Sequence, residues 1–207
     1  MGFIYGAATF ARYMVDGKVP QDYLEWYPKR IARYAFRRLD ESSTEERSIG
    51  WANIMDPFDS SFEQMEFLKE PCIAMAWRMD VRSVPKKALN EYCREKEEEI
   101  VAAEGLSFLP KVRRRDIREA VRGSLLKRAI PVPKTYDMIW NMNTGVVLFG
   151  SVSDRICDEF MEFFLKTFDL PLKVLFPYES ALRALGREDM DHDLLDACCE
   201  TKFTGGD

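Results

Sequence analysis

The chain has 207 residues, 46% of them hydrophobic and 31% charged, and a formal net charge of −5. That size suits one compact domain with an appended subdomain, and no run of about 18 apolar residues is present to cross a membrane. Five cysteines (Cys72, Cys93, Cys157, Cys198 and Cys199) are odd in number and lack CxxC spacing, which argues against a disulfide framework or a zinc site and predicts reduced thiols in a cytoplasmic protein.

The N-terminus has no basic n-region before Arg12, so it reads as a strand over residues 9–15, closed by Asp16-Gly17, and not as a signal peptide. Residues 20–38 carry apolar side chains at three- and four-residue intervals, a helical pattern with Pro28 either in the first turn of a later-starting helix or at a kink. A polar loop leads to a short strand at 48–53. Residues 62–69 are ambiguous between helix and strand. Residues 72–80 form a short apolar run bounded by Pro71 and Asp80, which predicts a strand. Ser83 is the expected cap of a charged helix that runs to about Ala103 and stops near Gly105. A second, basic helix starts around Pro110 and ends before Pro131 and Pro133. Strands at 136–140 and 146–149 pair across a Gly145-containing turn, a helix with Phe160, Phe163, Phe164 and Phe168 on its apolar side follows, and a strand at 172–176 and a short helix close the fold.

The order predicts an α+β fold with a mainly antiparallel sheet, packed helices and a projecting two-helix arm. Residues 1–84 and 131–186 form the expected body, 85–130 the arm inserted in it, and 187–207 an acidic C-terminal tail. Trp51, Trp77 and Trp140 fall in predicted strands and read as core rather than as stacking platforms for bases.

Charge is partitioned sharply. Residues 187–207 hold seven acidic and two basic residues, and residues 111–128 hold eight basic and two acidic. Net charge is therefore a poor guide to partners. On a helix at 100° per residue, Lys111, Arg115, Arg118 and Arg122 fall on one stripe beside an apolar face of Ile117, Val121, Ser124 and Leu125. Such a stripe can bind the phosphates of a duplex without reading sequence. It can equally pair with Glu95, Glu97, Glu98 and Glu99 of the preceding helix and form a solvated, ion-paired hairpin. Phe108 and Leu109 at the tip either pack within the turn or meet another subunit or a DNA surface.

The stretch from Arg114 to Phe168 resembles the central part of the RdgC recombination-associated proteins. Leu125-Leu126-Lys127-Arg128-Ala129-Ile130 matches that family's Leu-Leu-x-Arg-Ala-Phe-like segment, and Trp140 to Gly145 its Trp-Ile-Asp-x-x-x-Gly-like hairpin. Upstream, Ile49-Gly50-Trp51 and Cys72-Ile73-Ala74-Met75 before Val84-Pro85 are similar to its strands, so the resemblance spans residues 45–180.

The resemblance implies a bacterial, nucleoid-associated, non-enzymatic protein that binds double-stranded DNA with little sequence preference. It implies a head-to-head homodimer, ring-shaped around the duplex, that restrains RecA-type recombination. Lys111, Arg113, Arg114, Arg115, Arg118 and Arg122 are then the expected phosphate contacts, with Lys86, Lys87, Lys127 and Arg128 in second rank and Phe108 and Leu109 at a subunit contact. Two departures stand out. Typical members are about half as long again and continue where this sequence stops, so contacts made by their C-terminal region do not carry over, and a closed ring, an open dimer and another assembly all stay open. Ile130 replaces a bulkier aromatic, which reads as conservative core packing.

Two alternatives remain open at this stage. One is a protein-interaction module whose basic arm takes an acidic protein. The other is a metal-dependent exonuclease using Glu188, Asp189, Asp191, Asp193 and Asp196 beside His192, the single histidine. No GxxxxGK[ST] or GxGxxG motif is present, and no cofactor is expected.

Overall fold

Ten residues of strand β4 (Cys72–Val81) run through the middle of the sheet and organise everything else. The computed structural model describes residues 2, 3, 6, 8–62 and 65–184, so the acidic C-terminal segment, with Glu188, Asp189, Asp191, His192, Asp193, Asp196, Cys198 and Cys199, lies outside the described residues. Along the chain come β1 (Ala11–Val15), α1 (Tyr23–Arg33), β2 (Arg47–Ala52), β3 (Leu68–Lys69) and β4. Then follow α2 (Lys86–Glu104), α3 (Lys111–Arg128), β5 (Val132–Asn141), β6 (Val146–Phe149), α4 (Asp154–Phe168), β7 (Leu172–Val174) and α5 (Pro177–Ala184). The sheet order is β2-β4-β5-β6-β1-β7, with β3 added beside β4, and every strand pair in it is antiparallel. The fold is α+β, as the sequence predicts.

Period-two alternation builds the core. Ile73, Met75, Trp77 and Met79 of β4 point to one face, beside Trp51 of β2, Met138 and Trp140 of β5, Phe149 of β6 and Tyr13 of β1. The register sets Trp77 between Trp51 and Tyr136. Helix α4 covers this face with Phe160, Phe164 and Phe168 at four-residue spacing, and α1 adds Tyr27 and Ile31. Phe149 and Phe160 stack with centroids 3.8 Å apart. Each such ring contributes about 1.5–3 kcal/mol through removal from water. All three predicted core tryptophans are fully buried. The indole Nε1 of Trp51 donates to Thr167 Oγ1 at 3.0 Å, and that hydroxyl donates to Phe163 O at 2.9 Å.

Gly50 shows why a Gly-Trp pair sits in β2. Its neighbour Trp51 exchanges main-chain hydrogen bonds with Tyr34 and Phe36, and a Cβ on Gly50 would lie 2.3 Å from Phe36 Cα. Only glycine allows the chain after α1 to dock there.

The opposite face of β4 is buried as well. Arg78 and Asp80 make a bidentate pair at 2.7 and 2.8 Å, and Arg78 Nη1 donates to Pro57 O at 2.8 Å. The guanidinium lies 4.2 Å from the Phe36 ring centroid and 4.8 Å from that of Phe58. The loop around Pro57 thus lies over a face that would otherwise meet water.

Three local expectations change. Helix α2 begins at Lys86 with Pro85 at its N-cap and no capping hydrogen bond from a side chain, so Ser83 does not cap it. Pro28 is the sixth residue of α1 rather than a first-turn proline. Ile130 is 85% exposed, because β5 leaves the core face on entering its proline-bounded first residues, so it is not core packing.

Candidate nucleic-acid interface

Helices α2 and α3 pack on each other, and their side-chain pairs give their direction. Arg113 is bonded to Glu104, Arg114 lies 3.4 Å from Glu97, and Arg118 Nη1 donates to Asn90 Oδ1 at 3.0 Å. The partners step backwards along α2 as α3 advances, which makes an antiparallel hairpin. Gly105, at φ 63°, ends α2 in the left-handed conformation that glycine adopts without strain. Leu89 and Cys93 of α2, Leu109 of the turn, and Ile117 and Leu126 of α3 are the buried hydrophobic residues of this hairpin.

The predicted stripe is on the surface. Lys111, Arg114, Arg115, Arg118 and Arg122 are exposed and Arg113 is half-buried. Lys86 and Lys87 are exposed in the first turn of α2, and Lys127 and Arg128 in the last turn of α3. Neither helix has an acidic residue in its first turn, so the positive end of each dipole is left without an acidic neighbour there. The lysines and arginines add to that field rather than oppose it.

Several of these cations have partners within the chain. Arg122 pairs with Glu46 at 2.6 Å, and Arg115 with Asp116 at 3.8 Å. The bond from Arg113 holds the Glu104 carboxyl below its ordinary range, and the same bond raises Arg113. Of the four glutamates expected to face α3, only Glu97 does so through an ion pair. Glu98 pairs with Arg94 and Glu99 with Lys96, both within α2. Glu46, Glu104 and Asn90 take their place. Glu46 lies next to β2 in a stretch that sequence periodicity marks only as polar loop, so nothing in the pattern assigns it to Arg122.

The tip residues separate. Phe108 is 70% exposed, whereas Leu109 is 4% exposed and packs within the chain. Leu109 therefore offers no surface to a partner in this state, which corrects the expectation of a joint contact. Between the helices lies a groove of about 510 Å3 whose walls include Tyr92, Ile100, Ile117 and Val121, with Glu95 and Glu99 beside them.

Among the described residues no group of three or more His, Cys, Asp or Glu side chains is placed to hold a metal ion. No described helix is long and apolar enough to cross a membrane. The family model described as "Putative exonuclease, RdgC" matches residues 24–187. No curated protein matches the chain.

Proposed function

The chain belongs to the RdgC family, and from that premise we propose that it binds double-stranded DNA through α3 without reading base sequence, with no catalytic step of its own. It acts as a homodimer, open or ring-shaped, associates with the bacterial nucleoid in the cytoplasm, and restrains RecA-type recombination indirectly by occupying the duplex. Residues 85–130 serve as the DNA-facing arm on a body of residues 1–84 and 131–186. Phe108 at the tip meets the second subunit.

The observation that carries the reading is the exchangeable state of the α3 cations. Arg114, Arg115 and Arg122 are paired only with carboxylates at or near the surface, over distances of 2.6 to 3.8 Å. Exposed pairs of this kind contribute about 0–1 kcal/mol. A row of phosphates offers stronger, bidentate partners to the same guanidinium groups. Release of the counterions condensed on a duplex then drives the exchange.

Titration of the full chain with random-sequence duplex tests this. Binding is expected at about 50 mM salt and falls steeply by about 200 mM. Changing Arg115, Arg118 and Arg122 together to Glu is expected to weaken it about a hundredfold. Absence of binding at low salt with micromolar protein overturns the reading.

A second reading has its own support in the groove between α2 and α3. Its apolar floor suits a protein partner, which would engage the basic arm with acidic side chains. Capture of a defined acidic helical peptide, with no affinity for duplex, would favour it.

A further inference from the structure

Arg82, the residue that follows β4, is 2% exposed yet has no ion-pair partner within 4 Å among the described residues. Its Nη1 donates to the main-chain oxygens of Asp40 at 3.0 Å and Ser43 at 3.3 Å. Its Nε has no hydrogen-bond partner. Asp40, whose carboxyl Ser42 holds below its ordinary range through the main-chain N–H at 2.8 Å and the hydroxyl at 2.9 Å, with a smaller contribution from Arg82, is a countercharge beyond ion-pair distance. Arg78, two turns of the pleat away, is different. Asp80 and Pro57 use its donors, so that pair is internally neutral. A buried guanidinium whose hydrogen bonds go only to carbonyl oxygens, with its nearest carboxylate beyond ion-pair distance, is only partly compensated.

Arg82 forms part of the wall of a pocket of about 320 Å3, together with Arg38, Glu41, Pro131 and Pro133. The pocket is large enough for a small ligand. Its prolines have no main-chain N–H, so the polar donors of the wall are concentrated on the arginines. Arg38 is exposed and brings a second guanidinium to the wall. Counting the wall's charged side chains, Arg38, Arg78 and Arg82 outnumber Glu41 and Asp80 by one.

We propose that this pocket is an oxyanion site that takes a phosphate group, with the guanidinium groups of Arg82 and Arg38 as its donors. A phosphate has the acceptor geometry that planar guanidinium groups match, and it brings a negative charge within hydrogen-bond distance, where Arg82 has no ion pair. No residue of the α3 stripe lines the pocket, although Glu46, which pairs with Arg122, accepts the main-chain N–H of Arg82 at 2.8 Å. Free phosphate, a mononucleotide and the 5′-phosphate of a strand end all present this chemistry.

The test follows the Arg82 Nε–H signal by 15N NMR in the full chain, assigned from its loss in Arg82→Lys. Addition of inorganic phosphate is expected to shift it saturably in the millimolar range, which corresponds to a weak single-group site. Chloride at the same ionic strength is expected to leave it in place. Arg38→Glu, a change at an exposed position that leaves the fold intact, is expected to weaken the phosphate effect at least about tenfold.

A 5′-phosphorylated oligonucleotide that acts at lower concentration than inorganic phosphate, where its dephosphorylated form does not, assigns the site to strand ends. Equal potency of inorganic phosphate assigns it to free phosphate. No saturable shift, an equal shift with chloride, or an undiminished effect in Arg38→Glu overturns the proposal. Those outcomes leave the duplex reading of α3 standing, because duplex affinity is measured separately.

Discussion

The sheet with α1 and α4 and the α2–α3 hairpin are held together by different physics. In the first, Tyr13, Tyr27, Trp51, Trp77, Trp140, Phe149, Phe160, Phe164 and Phe168 are all under 2% exposed. In the second, a few buried aliphatic residues and a cysteine join two helices whose polar contacts with each other are surface ion pairs and the Arg118–Asn90 hydrogen bond. A region that depends on apolar burial must keep its side chains inward. A region that depends on exchangeable charge can give up its partners to another molecule at little cost. The contrast supports the proposed binding surface more directly than net charge does.

The comparison can be broken most directly from the core. Phe160→Ala removes the ring stacked on Phe149 and is expected to cost about 3–5 kcal/mol, read from the urea unfolding midpoint. Asp80→Ala leaves the buried Arg78 without its counterion and is expected to cost about 3 kcal/mol in the same measurement. If either change costs less than about 1 kcal/mol, the body is not a single tightly packed unit.

In the hairpin, Ile117→Ala is expected to cost about 2 kcal/mol. Native-state hydrogen exchange should show the amides of α2 and α3 opening before those of β4 and β5, in the variant and in the parent. Simultaneous opening would erase the distinction drawn here.

Two carboxylates give pH tests of opposite sign. The bond from Arg47 holds Glu159 below its usual range, so its contribution is complete at neutral pH and is lost as pH falls through the lowered value. Burial raises Asp137, despite the Phe3 N–H that its Oδ2 accepts at 2.7 Å. Its contribution is complete in acid and is lost as pH rises through the raised value. Glu159→Gln should flatten the acid loss of stability, and Asp137→Asn the loss at higher pH, both read from unfolding midpoints across pH. The smallest effect is expected at the surface. In a double-mutant cycle of Arg113→Ala and Glu104→Ala, any coupling should vanish at about 1 M salt, where screening acts within 3 Å.

Much of the fold was readable from the chain. The apolar run between Pro71 and Asp80 placed β4, the Gly145-containing turn placed β5 and β6, and the phenylalanine spacing placed α4. The two-residue β3 left no periodic signal because its pairing depends on β4 being present first. Leu109 and Phe108 are adjacent apolar residues, and only the closing angle of the turn decides which is covered. The Arg78–Asp80 pair is not legible in the sequence, because Asp80 has the pattern of the polar end of a strand. Its burial depends on the loop around Pro57, which lies far from it in sequence. The α3 stripe was visible as a charge pattern, but its partners were not. Glu46 is 76 residues from Arg122, and helical periodicity carries no information over that distance.

The placement of the indoles has a practical consequence for optical work. The four tryptophans, Trp26, Trp51, Trp77 and Trp140, lie in α1, β2, β4 and β5, and none lies in α2 or α3. Tryptophan emission, excited apart from tyrosine, therefore reports on one half of the molecule and is blind to the other. A ligand seated on the hairpin should leave the spectrum unchanged, and a spectral change on binding would mean that the body itself has rearranged. Placing an indole at Tyr92, in the wall of the interhelical groove, would give the hairpin an emission signal of its own.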